Sequence, residues 1–387
     1  MKKVIVAMSG GVDSSVAAAL LKKQGYEVAG VFMRFWSENK NAPNLCCSEG
    51  AQKAARAVAA KLKIPFYVFN FEKEFKKEVV DYFLAEQKVA RTPNPCVVCN
   101  KKIKFGLLFE KALALGVDFL ATGHYARLRR KIANRKSQIA QFHLSAARDR
   151  NKDQSYFLYN LTQARLQYIL FPVGEYLKEE VYQMAKKWRL PYRKEESFDL
   201  CFVANDAESF IKKYLKLRPG KIMNYSYCHS RESGNPDYGS RVKPGMTQGV
   251  ILDEHPGLPL YTIGQRKSIS VPRGPWWVIK KDEKNNILYV SNHEKDLYSR
   301  ELIVSKLNWI DGQAPKLPLN VCAKIRYKSE ASAAILRIAN RKSLASLRGR
   351  SGQIAVEFKK PQRAITPGQS VVFYKKNGEV IGGGEIK

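Results

Sequence analysis

An apolar, β-rich run, Lys3 to Met8, passes through Ser9-Gly10-Gly11 into a helix-period segment, Ser14 to Gln24, that stops at Gly25. Glycine there supplies the left-handed residue with which many helices end. The alternation continues as strand Val28 to Phe32, helix Ala51 to Leu62, strand Pro65 to Asn70, helices near Glu74 to Val89 and Lys102 to Leu115, and strand Phe119 to Thr122. Strand, helix, strand in this order predicts an α/β fold with a doubly wound, mostly parallel sheet, because parallel neighbours need crossovers that helices supply. Such sheets bind ligands beyond the carboxyl ends of their strands. The loops expected at those ends are Ser9 to Ser14, Met33 to Trp36 and Gly123-His124-Tyr125.

From about residue 206 the pattern breaks into short segments punctuated by Pro219-Gly220, Pro244-Gly245, Pro256-Gly257 and Gly274-Pro275, which predicts a small, loop-rich linking domain. Beyond about residue 298 the runs Leu302 to Trp309, Val321 to Tyr327, Gln353 to Phe358 and Ser370 to Tyr374, with a last hairpin at Lys376-Asn377-Gly378, predict a small β-barrel. The expected domains are 1–205, 206–297 and 298–387. The hexapeptide Ile132 to Ser137 recurs letter for letter as Ile338 to Ser343. Six residues are too few for a structural repeat, so Arg129 to Asn151, Cys228 to Thr247 and Ile335 to Gln353 read as basic surface insertions.

Charge then narrows the partners. The chain has 67 Lys and Arg against 35 Asp and Glu, a net +32, on a 45% hydrophobic, globular composition. The three insertions account for +12 of it, so the basic character belongs to the rest of the chain as well. An excess of this size attracts polyanions, with nucleic acid first among them. No run of about 18 apolar residues is present to cross a bilayer, and Met1 to Asp13 has no signal-peptide pattern, so no membrane partner and a cytoplasmic location are expected. Seven cysteines, an odd number in a chain of this size, do not make a secreted disulfide framework.

The loop Ser9-Gly10-Gly11-Val12-Asp13-Ser14-Ser15 lies between a strand and a helix N-terminus, where backbone N–H groups and the helix dipole favour an anion. Gly10 and Gly11 let the backbone close on a phosphate, Ser9 and Ser14 add hydroxyls, and Asp13 is suited to Mg²⁺. It is no Walker A loop. The plainer reading is a glycine turn with a capping Ser.

A second constellation is Arg91-Thr92-Pro93-Asn94-Pro95-Cys96-Val97-Val98-Cys99-Asn100-Lys101. The prolines stiffen the loop, and Asn100 is expected to cap a helix from Lys101, which would put Cys99 beside a positive helix end and the ammonium groups of Lys101 and Lys102. One Cys-x-x-Cys is open among a redox pair, half a zinc site and an iron–sulfur ligand pair. Cys201 is a third candidate sulfur, whereas Cys46-Cys47 and Cys228 read as bystanders and Cys322, in an apolar strand, as core.

The glycine loop resembles the PP-loop of the N-type ATP pyrophosphatases, which split ATP to AMP and pyrophosphate. With Thr92-Pro93-Asn94-Pro95, Cys99-Asn100, Ala121 to Tyr125, Lys152 to Tyr156, Cys201-Phe202 and Ala364 to Gln369, the chain resembles the tRNA-uridine 2-sulfurtransferase (tRNA-specific 2-thiouridylase) family over almost its whole length. The resemblance implies ATP-dependent 2-thiolation of the wobble uridine, with Mg²⁺ accompanying ATP. It implies Cys99 as nucleophile and Cys201 as persulfide carrier, the two able to form a disulfide, with Asp13 and His124 completing the catalytic set. It implies ATP at Ala7, Met8, Ser9, Gly10, Gly11, Val12, Asp13, Ser14, Met33 and Gly123. The tRNA anticodon loop is implied at Asn94, Pro95, Cys96, Lys152, Asp153, Gln154, Arg326, Tyr327 and Gln369, and a cysteine desulfurase or sulfur-relay protein is the implied persulfide donor. Many members have Asp where this chain has Cys96. That third thiol brings a [4Fe–4S] cluster on Cys96, Cys99 and Cys201 into play as the alternative route, and a non-catalytic RNA-binding protein is the remaining one.

Overall fold

The computed structural model of the chain describes residues 1–38, 48–132, 140–193, 200–203, 206–225, 250–339 and 353–387. Five parallel strands form the first sheet: β1 (Lys3–Ala7), β2 (Glu27–Arg34), β3 (Phe66–Asn70), β4 (Phe119–Thr122) and β7 (Ile169–Leu170), ordered β3-β2-β1-β4-β7. Strand β1 pairs on both edges, Ala7 standing between Val31 and Thr122, so Val4 to Ala7 are uniformly apolar and buried. The chain order reverses at β1, and the crevice beyond β1 and β4 is the place where such sheets bind ligands. Helix α1 (Val12–Lys23) buries Val16, Ala17, Ala18 and Ala19, small residues that let it lie close to the sheet, and Gly25 beyond its end takes φ 84°. Helix α2 (Glu49–Leu62) is capped by Ser48, whose Oγ accepts from Ala51 N.

The cysteine segment departs from the sequence reading. Its helix begins at Pro95, not Lys101: Pro95–Cys99, a π-helical stretch Asn100–Leu107 and Leu108–Ala114 follow one another without a break. Asn94 is the cap, its Oδ1 accepting from Val97 N at 3.3 Å, while Asn100 Nδ2 donates to Phe157 O. The prolines that argued for a loop are compatible with a helix start, because the first helical position needs no N–H and its φ suits proline.

Strands β5 (Ala126–Ile132) and β6 (Ala140–Ala146) pair in full antiparallel register, so the described part of the insertion expected at Arg129 to Asn151 includes the paired strand residues Arg129 to Ile132 and Ala140 to Ala146. The linking domain has helix Ala207–Tyr214 and a sheet of β8 (Gly220–Asn224), β9 (Ile251–His255), β10 (Trp277–Asp282) and β11 (Ile287–Ser291), ordered β10-β11-β8-β9.

The C-terminal barrel closes as β12-β15-β14-β13-β16-β17, made of β12 (Tyr298–Trp309), β13 (Leu319–Lys324), β14 (Ser332–Ile338), β15 (Ile354–Arg363), β16 (Ser370–Tyr374) and β17 (Val380–Ile386). Strand β14 corrects the sequence reading, which gave Ile335 to Ile338 to an insertion. Ala334 and Leu336 point inward and Arg337 outward, the alternation of a half-buried strand.

The barrel is packed onto the first domain, for Val372, Tyr374 and Val380 share one core with Phe75, Phe105 and Tyr159. Tyr156 Oη donates to Ser370 O at 2.8 Å, and Asn308 Nδ2 to Tyr159 O at 2.6 Å. Cys46, Cys47 and Cys228 lie outside the described residues. No helix among the described residues is long and apolar enough to cross a membrane.

Candidate active site

One cleft of about 1430 Å³ runs from the carboxyl ends of β1 and β4 to the barrel. Its floor is Ala7, Met8, Ser9, Gly11, Val12, Asp13 and Ser14, with Met33 and Gly123 beside them. No side chain caps the α1 N-terminus, whose first residues line the cleft. The serines instead brace the loop: Ser9 N donates to Ser14 Oγ at 3.2 Å, and the hydroxyls of Ser14 and Ser15 donate to Gly11 O at 3.1 and 2.8 Å. A capless helix end facing a cleft suits an anion. Gly10, at φ 79°, does not line the cleft but packs where a Cβ would stand 2.4 Å from Ala51 O. At Gly123 a Cβ would meet Ser14 N at 2.7 Å, so only glycine lets β4 close on this loop.

Asp13 is fully engaged. Lys178 Nζ donates to both carboxylate oxygens, at 2.7 and 2.9 Å, and Tyr125 Oη donates to Oδ1 at 2.8 Å. Burial and the Asp13 carboxylate push the Tyr125 phenol far up, so it remains a donor. Asp13 thus presents hard carboxylate oxygens of the kind Mg²⁺ takes, and here they are engaged by the Lys178 ammonium and the Tyr125 hydroxyl. Arg193 joins from its own loop: its N donates to Gly10 O at 2.9 Å and its Nη1 to Ser48 Oγ at 2.8 Å. Neither Lys178 nor Arg193 was singled out from the sequence. Both lie more than a hundred residues from the loop, and no local motif marks them.

Three sulfurs flagged in the sequence, Cys96, Cys99 and Cys201, line the same cleft, and Cys322 is a fourth. Cys322, read as core, is half-buried on β13, packed against the core shared by the barrel and the first domain, and lines the cleft as well. Cys96 sits in the first helical turn and Cys99, buried, one turn further along. Of the lysines that follow Cys99, Lys104 lines the cleft, whereas Lys102 pairs with Glu78 at 3.5 Å. Among the described residues no three His, Cys, Asp or Glu side chains are grouped so as to hold a metal ion, and Cys96, Cys99 and Cys201 do not form such a group.

His124 Nδ1 lies 2.7 Å from Thr122 Oγ1, between Phe105 and Phe171 at ring distances of 5.8 and 6.2 Å. Burial, seconded by Lys104, pulls its pKa well below the ordinary value, so the ring is neutral at physiological pH. The free imidazole of an unfolded chain takes up a proton near pH 6.5 and His124 does not, so its contribution to stability is lost as pH falls below that. The ring resonances of His124 are expected to hold still from about pH 8 to pH 6, whereas a midpoint near pH 6.5 in an NMR titration would contradict the assignment.

The remaining candidates divide by what they touch. Asp153 is buried and accepts from Ala147 N, Ser155 N and Ser155 Oγ, while Gln154 Oε1 accepts from Tyr125 N at 3.0 Å. Both line the cleft by shaping its wall, beside Lys152. Gln369 Nε2 donates to Thr92 O and Pro93 O, supporting Asn94 and Pro95, which line the cleft as well. Tyr327 lines it with its ring 4.5 Å from Phe157. Arg326 does not line it: Nη2 donates to Ile263 O, Ala364 O and Thr366 Oγ1, joining the linking domain to the barrel. Nine Lys and Arg, Lys178 and Lys324 among them, line the cleft against three acidic residues, Asp13, Asp153 and Glu330, so it is strongly cationic from the Ser9 to Ser14 loop to the barrel.

Residues 2–205 match the family model described as the tRNA methyl transferase HUP domain, 241–292 the tRNA methyl transferase PRC-barrel domain, and 299–386 the aminomethyltransferase beta-barrel domain. Three relatives are each named tRNA-specific 2-thiouridylase MnmA. The one from Carboxydothermus hydrogenoformans is 42% identical over 100% of this chain and 98% of its own. The one from Halothermothrix orenii is 42% identical over 100% and 99%, and the one from Moorella thermoacetica 43% identical over 99% of each. On this full-length likeness, with all three domains matched in order, the chain belongs to the tRNA-specific 2-thiouridylase family.

Proposed function

We propose that this chain installs sulfur at C2 of the wobble uridine in tRNA anticodons at the expense of ATP. The observation that carries the reading is that a phosphate-type loop at a helix N-terminus and the sulfurs of Cys99 and Cys201 line one cationic cleft. The C2 oxygen of uracil is a poor leaving group. Attack of that oxygen on the α-phosphorus of ATP expels pyrophosphate and converts it into the oxygen of AMP, a good one. The Ser9 to Ser14 loop holds the phosphates, and Lys178 is placed to neutralise charge on them once it parts from Asp13. Mg²⁺ arriving with ATP would supply further neutralisation, with Asp13 as its carboxylate ligand.

Sulfur then moves in two balanced steps. The outer sulfur of a Cys201 persulfide attacks C2, and AMP departs with the bonding pair to oxygen. The Cys99 thiolate next attacks the inner sulfur on Cys201, the sulfur–sulfur bond breaks, and 2-thiouridine leaves a Cys99–Cys201 disulfide. An external thiol reduces that disulfide, and a desulfurase or sulfur-relay protein reloads Cys201. Neutral His124 can donate or accept one hydrogen bond but carries no charge for the nucleotide. The target base must be unstacked to enter, which an anticodon loop permits and a duplex stem resists. The barrel-side lysines suit the rest of the tRNA backbone.

The domain descriptions name methyl transfer, and one assay separates the two chemistries. Thiolation releases pyrophosphate from γ-labelled ATP only when unmodified tRNA is present, whereas methyl transfer consumes no ATP. Release on tRNA addition supports the proposal, and none under any donor condition refutes it.

A further inference from the structure

The segment that carries Cys96 and Cys99 is gripped residue by residue by the other two domains. Helix Asp81–Lys88 ends with Arg91 N donating to Glu86 O at 3.0 Å and Ala90 N to Gln87 O at 2.9 Å. That closing pattern needs a left-handed residue, and Ala90 takes φ 57° although it is not glycine. Ala90 is buried against Ile222, Leu258 and Tyr261 of the linking domain. Arg91 follows, with Nε 2.8 Å from Glu86 Oε2 and Nη2 bonded to Glu385 Oε1 and to Ile386 O on the last barrel strand. Glu385 is buried and its other oxygen takes Lys306 Nζ at 2.9 Å. Thr92 N donates to Pro367 O at 3.0 Å, and Gly368, at φ 92°, lies so close that a Cβ would stand 2.8 Å from Thr92 O.

A buried carboxylate is tolerated only where its cations are held in place, so this pairing has one geometry rather than several. We propose that Arg91 and Glu385 are positioning residues that set where Cys96 and Cys99 stand in the cleft. Strand β17 thereby tunes sulfur transfer, over and above any contact of the barrel with RNA. The proposal rests on the reading of Cys99 given above.

The test uses the full-length protein carrying Glu385→Gln. The turnover number for thiolation is expected to fall by about tenfold or more, with KM for ATP and Kd for tRNA within about twofold, because small displacements of a reacting group cost rate rather than affinity. In the absence of tRNA, alkylation of Cys99 by iodoacetamide, read by peptide mass spectrometry against Cys201, is expected to change by about threefold or more. Arg91→Lys keeps the charge and one hydrogen bond, and is expected to retain more turnover than Arg91→Ala. Gly368→Ala pushes on Thr92 and leaves both charged partners in place, although Gly368 N shares the Ile386 O acceptor with Arg91, and is expected to give the same split. A parallel loss of turnover, ATP affinity and tRNA affinity, with all cysteines alkylated alike, means a merely structural role and overturns the proposal. Unchanged turnover in both Glu385→Gln and Gly368→Ala overturns it too. Wild-type protein that forms no 2-thiouridine would instead refute the functional reading, and the alkylation ratio would still decide whether β17 positions Cys99.

Discussion

Cys201→Ser is expected to abolish formation of 2-thiouridine, by about a thousandfold or more, while ATP and tRNA affinity stay within about twofold. A hydroxyl cannot carry a persulfide, so the loss is one of chemistry. The substitution is close to isosteric, and the site around it is held by other groups: Phe202 is buried against Phe75, Phe83 and Phe210. The fold should therefore survive. Pyrophosphate release should survive as well, as a single burst per active site, because activation of the uracil precedes sulfur transfer. Cys99→Ser is expected to lose 2-thiouridine equally, but to trap tRNA on Cys201 through a sulfur–sulfur bond that reductant cleaves. Nucleoside mass spectrometry and non-reducing gels read the two outcomes. A fully active Cys201→Ser enzyme supplied with a persulfide donor would refute the assignment.

Asp13→Ala is expected to lower tRNA-dependent pyrophosphate release by about a hundredfold or more. The carboxylate holds Lys178 and the Tyr125 hydroxyl on one side of the phosphate loop, so its removal takes away a cation ligand and frees the lysine together. Lys178→Met separates the two effects. It is expected to weaken ATP by about tenfold or more while leaving AMP within about twofold, since a lysine poised for the outer phosphates matters little to a nucleotide without them. Calorimetric titration of both nucleotides with and without Mg²⁺ measures this. Equal loss of ATP and AMP would mean that the lysine only holds Asp13 in place, and unchanged pyrophosphate release in Asp13→Ala would refute the role of its carboxylate.

What could be read from the chain was what lies contiguous in it. The Ser9 to Ser14 loop announces itself because strand, glycines and helix follow one another directly, and the closed C-terminal barrel is visible in the same way, as contiguous apolar β runs such as Val321 to Tyr327 and Ser370 to Tyr374. Lys178 was out of reach because it is the first residue of an ordinary helix, Lys178–Lys187, and its meaning comes from a contact 165 residues away. Arg193 was hidden by the same kind of distance. Strand β14 was concealed by its basic neighbours, although Ala334 and Leu336 kept the alternation of a barrel strand. The cap of the cysteine helix was misplaced from Asn94 to Asn100 because both asparagines stand where a cap can, and the prolines between them fit a helix start as well as a loop. Arg326 and Asp153 show the converse: charged residues that suggest a ligand can spend their hydrogen bonds inside the fold.

The most direct test is mass spectrometry of the nucleosides of unmodified tRNA incubated with the purified protein, Mg²⁺-ATP and a persulfide-generating desulfurase, both anaerobically and in air. The account predicts 2-thiouridine at the wobble position, dependent on ATP and on Cys201, in either atmosphere. Binding of tRNA and ATP with no 2-thiouridine would contradict it, and 2-thiouridine formed only anaerobically, by a brown protein, would contradict the persulfide route in favour of an iron–sulfur cluster.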